Sequence, residues 1–266
     1  MGVVSPTGVP LAILEIGTDG YTVLTPCGNT TEVLGGDPIH DVRVVLDPGH
    51  GGPIDTGAVA PTGMPEKDLN LRVARSARHL LEERGISTVL TRTFDYAVPL
   101  GVRAQFADRL GANVMVSIHH NAPTPNPSAQ PGVEVFVQSR SLESRRLGGI
   151  LWEESMDSLS DFDVQWSSAP DAGVMTVLNT RGSDAYGIIR GPQTPTALIE
   201  LGYISNRAEA ELYQTPQYVP TAAQSVADAI ERYLITDDGG SGFVESRTFN
   251  PQPGVGRDVC VEPDLG

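Results

Sequence analysis

Strand-like apolar runs alternate with segments of helical periodicity over most of this 266-residue chain, and this alternation restricts the fold more than any other feature. The predicted strands are 42–47, 86–92, 113–118, 133–138, 186–190 and 196–201. The predicted helices are 66–84, 99–110, 142–158, 207–213 and 217–234. The pattern predicts an α/β fold, with a mostly parallel twisted sheet of about six strands and helices on both faces.

The two ends of the chain follow different patterns. Residues 11–35 predict two or three short strands, joined in part by Thr18-Asp19-Gly20, which is typical of a hairpin turn. Gly35–Pro38 would link this small β-hairpin appendage to the α/β part. After Thr236, the glycines and prolines indicate an irregular tail. We therefore expect an appendage and linker over 1–40, a main domain over 41–236 and a tail over 237–266.

The overall charge narrows the possible partners. The chain carries 18 basic and 33 acidic side chains, a net charge of −15. Such a surface repels phosphate backbones, so we expect no nucleic acid partner. No apolar run approaches the roughly 20 residues needed to cross a bilayer, so we expect no membrane span. The sequence starts without a charged-then-apolar leader, so an exported form would have lost its leader or carry it outside this sequence.

Three of the strand-like runs end in a residue type that binds metals. They are Val42–His50, Asn113–His119 and Thr196–Glu200. The carboxyl ends of parallel strands share one edge of a sheet, and ligands bind in the crevice there. We therefore expect His50, His119 and Glu200 to meet in space, although they lie far apart in the sequence.

Glu66 is expected to join them, because it opens the helix that follows the first loop. Leu69, Val73, Ala77 and Leu80 follow it at helical spacing, so Glu66 heads the buried face, while Lys67 and Asp68 should face solvent. A first-turn acid favoured by the helix dipole is the simpler interpretation. A buried carboxylate needs a partner, however, and two imidazoles with one carboxylate suit zinc. A second carboxylate beside the ion is what metal-assisted hydrolysis requires.

Two details of this pattern stay open on spacing alone. Either His119 or His120 could be the ligand, because neighbouring side chains of a strand point to opposite faces. The glycine-rich loop at 47–52 could instead bind phosphate, but neither GxGxxG nor GxxxxGK[ST] is present. Asp55-Thr56-Gly57-Ala58, further along, would shape the far wall of the site.

The two cysteines, Cys27 and Cys260, lack the spacing of a zinc or redox motif. They are either two separate thiols or one disulfide that ties the tail to the amino-terminal strands. We predict the disulfide, because Cys260 otherwise lies in a segment with little reason to be buried. Such a bridge would indicate an oxidising compartment outside the cytoplasm.

Four motifs resemble those of the zinc-dependent N-acetylmuramoyl-L-alanine amidases, the family that contains the bacterial cell-division amidases. They are LDPGHGGPIDTGA (46–58), PEKDLNL (65–71), SIHHNA (117–122) and TALIELGYISN (196–206), and the resemblance runs from about Val42 to Leu234. It implies that His50, Glu66 and His119 bind one Zn²⁺ and that Glu200 is the catalytic carboxylate. The resemblance thus favours His119 over His120, which stands where the family commonly has a small residue.

The resemblance also assigns two substrate-binding positions and an activity. It implies that Asn121 orients the site and that Arg190 lies near the substrate. The expected reaction is hydrolysis of the amide between N-acetylmuramic acid and L-alanine of the stem peptide, by a zinc-activated water with Glu200 as general base and acid. The expected partner is peptidoglycan or its muropeptide fragments, and the expected protein is a monomer, exported to the periplasm or cell wall.

Three other functions stay open. A zinc peptidase could cut within the stem peptide and would need the same residues. A non-catalytic wall-binding or regulatory module is less expected, because no ligand and no catalytic carboxylate is missing. The two cysteines and the hairpin could also form a docking surface for an activator, which is compatible with catalysis.

Overall fold

A six-stranded sheet forms the centre of the protein, which we describe from a computed structural model covering residues 1–123, 125–251, 256 and 259–266. Across all of the described residues, the strands are β1 Gly2–Val4, β2 Pro10–Ile16, β3 Gly20–Leu24, β4 Thr30–Leu34, β5 Asp37–Ile39, β6 Val44–Pro48, β7 Thr88–Leu90, β8 Val114–Asn121, β9 Asn126–Ser128, β10 Glu134–Val137, β11 Trp166–Ser168, β12 Val174–Met175, β13 Val177–Leu178, β14 Thr196–Tyr203 and β15 Arg247–Thr248. The helices found there are α1 Glu66–Glu83, α2 Leu100–Leu110, α3 Leu142–Leu159, α4 Gly187–Arg190, α5 Arg207–Leu212 and α6 Tyr218–Ile235.

The order of the central strands confirms the predicted sheet. It runs β12-β10-β14-β8-β6-β7, and every neighbouring pair is parallel except β10 with β14. The ends of β6, β8 and β14 therefore lie side by side at one edge. This is the arrangement on which the predicted meeting of strand-end side chains depends.

Alternation along the strands decides which face each side chain occupies. On β8, Val114, Val116 and Ile118 belong to one hydrophobic core and Met115 to the other. The first core is covered by α1, α3 and α6, and the second by α2, α4 and the amino-terminal strands. Because the pleat has a period of two, His119 lies on the Met115 face and His120 on the opposite face.

The prediction of a strand at 186–190 was wrong, because this stretch forms the single helical turn α4. Ile188 and Ile189 are both buried in the core on the α2 side. Consecutive side chains of a strand would point to opposite faces, whereas one helical turn buries both on the same side. The sixth strand of the sheet is instead β12, inside the segment 160–185, where no strand or helix was predicted.

The amino-terminal part is larger than the predicted hairpin, because it forms a separate antiparallel sheet of order β4-β3-β2-β1-β5. Two of its strands, β1 and β5, have only three residues, too few to show alternation in the sequence. Asp37 and Pro38, expected in a linker, pair with β1 instead. Val3, Leu11 and Val23 belong to the core on the α2 side, so this sheet packs against the main domain.

The carboxyl-terminal tail crosses the body of the protein and is fixed at both ends. Most of its described residues lack regular structure, but β15 pairs in parallel with β13. Residues 252–255 and 257–258 of the predicted tail lie outside the described residues. The predicted disulfide between Cys27 and Cys260 is present. Beside it, the Glu262 carboxylate accepts hydrogen bonds from the Cys27 amide and from Thr25 and Asn29.

In the described part of the chain, no helix is both long enough and apolar enough to span a bilayer. The division into segments 1–40, 41–236 and 237–266 stays a prediction.

Loss of the disulfide should destabilise the protein. The bridge joins residues 233 positions apart, for which the chain-entropy model gives about 5 kcal/mol. Because hydrogen bonds also hold the tail, we expect Cys260→Ser to lower the free energy of unfolding by about 2–4 kcal/mol in urea titrations. Cys27→Ser is the matched control and should give the same loss. An unfolding midpoint that does not respond to a reductant in the parent protein would contradict this.

Candidate metal-dependent active site

Two buried arginines fix the loop that follows β6. The Arg103 guanidinium donates to the carbonyls of Pro48 at 3.0 Å and His50 at 2.8 Å. The Arg92 guanidinium donates to the carbonyls of Pro48 and Gly49, both at 3.0 Å. With three consecutive carbonyls turned toward these cations, His50 adopts a φ of 62°, which non-glycine residues rarely do.

The charge of Arg103 is balanced by Asp47, the last acid before the turn. Its carboxylate lies 2.6 Å from the Arg103 guanidinium and accepts hydrogen bonds from Thr91 at 2.5 Å and Ser117 at 2.7 Å. Burial opposes the charge of Asp47, but Arg103 and the two hydroxyls hold its pKa below the usual value. Asp47 therefore stays ionised and anchors the loop.

His50 is oriented by a carboxylate on each side of its ring. Its Nδ1 lies 2.5 Å from Asp55 Oδ1, and its Nε2 lies 3.3 Å from Glu66 Oε2. Burial opposes protonation, but hydrogen bonds to Asp55 and Glu66 raise the pKa of His50 to about 10. The ring is therefore protonated when no metal is bound. A metal ion that binds at Nε2 would have to displace the proton on that nitrogen, because only a neutral imidazole coordinates.

Glu66 lies between the two histidines, on the buried side of the first turn of α1. Its Oε1 is 3.0 Å from His119 Nδ1 and accepts a 3.1 Å hydrogen bond from Asn70. The Ala58 amide donates to Oε2 at 3.0 Å. Burial opposes its charge, but His119 and His50 hold the pKa of Glu66 well below the usual value. Glu66 is thus an anionic group with both oxygens directed at the imidazoles.

The geometry of His50, Glu66 and His119 fits a divalent ion such as zinc. Each residue offers one ligand atom, and these atoms lie within 4.8 Å of one another. Bonds of about 2.0–2.2 Å would place the ligand atoms of a tetrahedral zinc roughly 3.4 Å apart, close to the separations between Glu66 and the imidazole nitrogens. Two imidazoles and one carboxylate are also a donor set that catalytic zinc sites use.

Two glycines provide the space in which these side chains lie. A Cβ on Gly49 would come within 2.1 Å of the His119 ring. A Cβ on Gly57 would come within 2.5 Å of Glu66 Oε2 and 2.7 Å of His50, and Gly57 has a φ of 65°. Any other residue at either position would displace a candidate ligand.

Glu200 lies beside this group and keeps one oxygen without a partner. It pairs with His119 in the β14–β8 register, so the two side chains share a face. Its Oε2 is buried and has no hydrogen-bond partner in the described part of the chain. Burial and the charges of Glu66 and Glu134 raise the pKa of Glu200 well above the usual value. A bound cation would act in the opposite direction and favour the carboxylate.

These groups open into a cleft of about 880 Å³. His50, His119 and Glu200 line it, and Arg190 lies on its wall. The Arg190 guanidinium donates to the carbonyls of Asp184 at 2.6 Å and Ala185 at 3.0 Å. The cleft is large enough to hold a small substrate beside the candidate metal site.

His120 and Asn121 have supporting contacts in the structure. His120 is fully buried on the α6 side, with Nδ1 2.8 Å from Asn70 Oδ1 and Nε2 2.7 Å from the Tyr218 hydroxyl. Burial lowers its pKa to about 3, so His120 is neutral. Because Asn70 also donates to Glu66, this chain of contacts fixes the Glu66 carboxylate. The Asn121 amide donates to Glu134 at 2.5 Å.

The sequence interpretation missed several of these residues and misplaced one. Lys67 does not face solvent; it is buried, and its ammonium group donates to the Gly52 carbonyl at 3.0 Å and lies 2.6 Å from Asp95. A charged residue beside Glu66 on the helix looked solvated because its partners come from other loops. The roles of Asp47, Asn70, Arg92, Arg103 and Glu134 were also missed, and Asp55 was expected only on the far wall of the site and not at His50. Asp55 had a usable signal, because it follows His50 closely in the same glycine-rich loop.

Comparison with known proteins places the chain in a family. Residues 44–232 match the family described as N-acetylmuramoyl-L-alanine amidase. The chain is similar to the N-acetylmuramoyl-L-alanine amidase AmiA of Salmonella typhimurium, at 30% identity over 77% of this chain and 80% of that protein. It is 29% identical to the amidase AmiC of Neisseria meningitidis over 73% of this chain, which spans only 53% of that relative. These matches confirm the family resemblance inferred from the four motifs.

A solved structure supports the same assignment at the level of the fold. The N-acetylmuramoyl-L-alanine amidase AmiC2 of Nostoc punctiforme aligns with a TM-score of 0.61 and 27% identity, over 74% of this chain and 99% of that one. The first 43 residues and those after 232 lie outside the residues that the family matches.

The contact between Asp55 and His50 predicts an effect on metal binding. Asp55→Asn should lower the affinity for zinc about 10–100-fold, because a neutral amide replaces the carboxylate that orients the His50 ring at Nδ1. Competition with a chromogenic chelator measures this. Asp68→Asn, an exposed acid in the first turn of α1, is the matched control and should bind zinc like the parent. Equal affinities for Asp55→Asn and the parent would contradict the role given to Asp55.

Proposed function

Because the chain belongs to the N-acetylmuramoyl-L-alanine amidase family, we propose that it hydrolyses the amide between the lactyl group of N-acetylmuramic acid and L-alanine of the stem peptide. One observation carries this proposal. Two imidazoles and a carboxylate converge beside Glu200, whose buried oxygen lacks a partner in the described part of the chain. An unpartnered carboxylate oxygen beside a candidate metal site is suited to accept a proton from water.

We propose that His50, Glu66 and His119 hold one zinc ion. Zinc supplies a Lewis acid, which makes water easier to deprotonate and polarises a carbonyl. Asp55 holds the ring of His50, and Asn70 holds the carboxylate of Glu66. Such fixed ligands would bind the ion with little rearrangement of the protein.

The proton transfers are assigned to Glu200. Its Oε2 accepts a proton from the water that attacks the scissile carbonyl carbon. When the C–N bond breaks, the same atom delivers that proton to the departing amine of L-alanine. The position of Glu200 beside His119 supports this role, because the proton acceptor then lies next to the candidate metal site, where the water and the scissile carbonyl would meet.

The substrate would lie in the cleft in front of these residues. Arg190 lies on the cleft wall, and we propose that it contacts the substrate. Asn121 would act less directly, through its hydrogen bond to Glu134 behind Glu200. With a net charge of −15, the protein would hold its substrate by the shape of this cleft and not by general attraction to anionic wall polymers.

The setting of the reaction is also part of the proposal. We propose a monomer with 41–236 as its catalytic unit, acting on peptidoglycan or muropeptide fragments in the periplasm or cell wall. The disulfide supports export, because such bridges persist in oxidising compartments.

The products of muramyl dipeptide distinguish this activity from its alternatives. We expect release of intact L-alanyl-D-isoglutamine, followed by chromatography with mass spectrometry. A chelator should abolish the reaction and added zinc should restore it, because the proposed site needs the ion. Release of isoglutamine alone would indicate a zinc peptidase, and the absence of any product would favour a binding module.

Replacement of Glu200 should separate proton transfer from metal binding. Glu200→Gln removes the proton acceptor without changing the ligands, so we expect a loss of about 10²–10⁴-fold in kcat with zinc content retained. Glu211→Gln, an exposed glutamate on α5, is the matched control and should keep full activity. Near-normal turnover by Glu200→Gln would show that another group accepts the proton.

A further inference from the structure

A second carboxylate lies directly opposite Glu200 in the central sheet. Glu134 pairs with Glu200 in the antiparallel register of β10 and β14, and its side chain is only 1% exposed. Directly opposed residues share a face of the sheet, with Cβ atoms about 4.5–5.5 Å apart. Two like charges at this distance repel each other, and a nearby cation is needed to offset the repulsion. The group that compensates the negative charge of Glu134 therefore affects the position of the Glu200 side chain.

Donors from three different segments surround the Glu134 carboxylate. The Tyr203 hydroxyl donates to Oε2 at 2.8 Å, and Asn121 donates to the same oxygen. The Arg247 guanidinium donates to Oε1. Among the described residues, Arg247 is the only cation that forms an ion pair with Glu134. It supplies the positive charge, while the other two donors supply direction.

Arg247 reaches this position because the tail is held against the main domain. It begins β15, and its amide donates to the Thr176 carbonyl at 3.2 Å. Two residues later, the Phe249 amide donates to the Leu178 carbonyl at 2.8 Å. The guanidinium also lies 3.4 Å from Asp171 and over the ring of Phe136. It is therefore fixed from several sides.

Arg247 also lies outside the residues that the family matches, which end at 232. Its contact with Glu134 joins residues 113 positions apart and is a property of this chain's own tail. We propose that Arg247 is a positioning residue, which compensates Glu134 and thereby keeps Glu200 directed at the scissile amide. This inference rests on the proposed function, because it takes Glu200 as the group that moves the proton.

Replacement of Arg247 should act on Glu200 through Glu134. Without the guanidinium, a buried carboxylate is left without its cation next to Glu200. Glu200 would then move away from Glu134, and the proton acceptor would lose its alignment with the substrate. The cleft that binds the substrate and the three candidate metal ligands would be unchanged. The loss of activity should therefore appear in kcat and not in KM or zinc content.

The test compares four variants in the full-length, zinc-loaded, oxidised protein with muramyl dipeptide as substrate. Arg247→Met should lower kcat about 10–100-fold, with KM and zinc content close to those of the parent. Arg247→Lys keeps the charge and should retain most of the activity. Glu134→Gln with Arg247→Met removes both charges and should recover part of the loss. Arg145→Met is the matched control and should behave like the parent. Arg145 is an exposed arginine of α3 that lies over Phe243, which belongs to another part of the tail.

Each outcome decides one question. A kcat for Arg247→Met equal to that of the parent overturns the inference, and so does a double variant no better than Arg247→Met. Equal losses for Arg247→Lys and Arg247→Met would show that the guanidinium only anchors the tail, which also overturns it. Circular dichroism and thermal melting identify a variant that fails to fold, and Arg247→Lys then provides the comparison. A parent that releases no peptide from muramyl dipeptide refutes the proposed function itself.

Discussion

The buried ion pair between Asp47 and Arg103 is the interaction on which the candidate site depends. Ion pairs in protein interiors add little net stability, but removal of one partner costs about 3–5 kcal/mol because the other charge stays buried. Here the pair also has a geometric role. Arg103 binds the carbonyls of the loop after β6, and this loop carries His50 in its unusual backbone conformation. The position of the first candidate ligand is therefore determined by charge in the core.

Glu66 and the ring of His50 are held by side chains from both faces of the sheet. Glu66 is fixed from the α6 side through Asn70, His120 and Tyr218, and His50 is fixed from the cleft side by Asp55. The pleat of β8 explains this division, because neighbouring histidines point to opposite faces. His119 is a candidate metal ligand, and His120 is a neutral structural residue that orients a carboxylate. Supports of this kind set the orientation and basicity of metal ligands.

Sequence reasoning succeeded where local pattern and chain topology act together. His50, His119 and Glu200 directly follow apolar runs, and parallel pairing brings such positions to one edge. It failed where the pattern was too short, as in the three-residue strands of the amino-terminal sheet, or ambiguous, as for Ile188 and Ile189 in α4. The contact between Glu134 and Arg247 leaves no local trace, because it depends on where the tail crosses the body.

The disulfide links the two parts of the chain that lie outside the family-matched region. Cys27 belongs to the amino-terminal part and Cys260 to the tail, so each part is fastened covalently to the other. Deleting either part while keeping the other would leave an odd, newly exposed thiol. Such a shortened protein would be prone to cross-link with a second copy of itself under oxidising conditions. The two ends are therefore best kept, or removed, together in any engineered version.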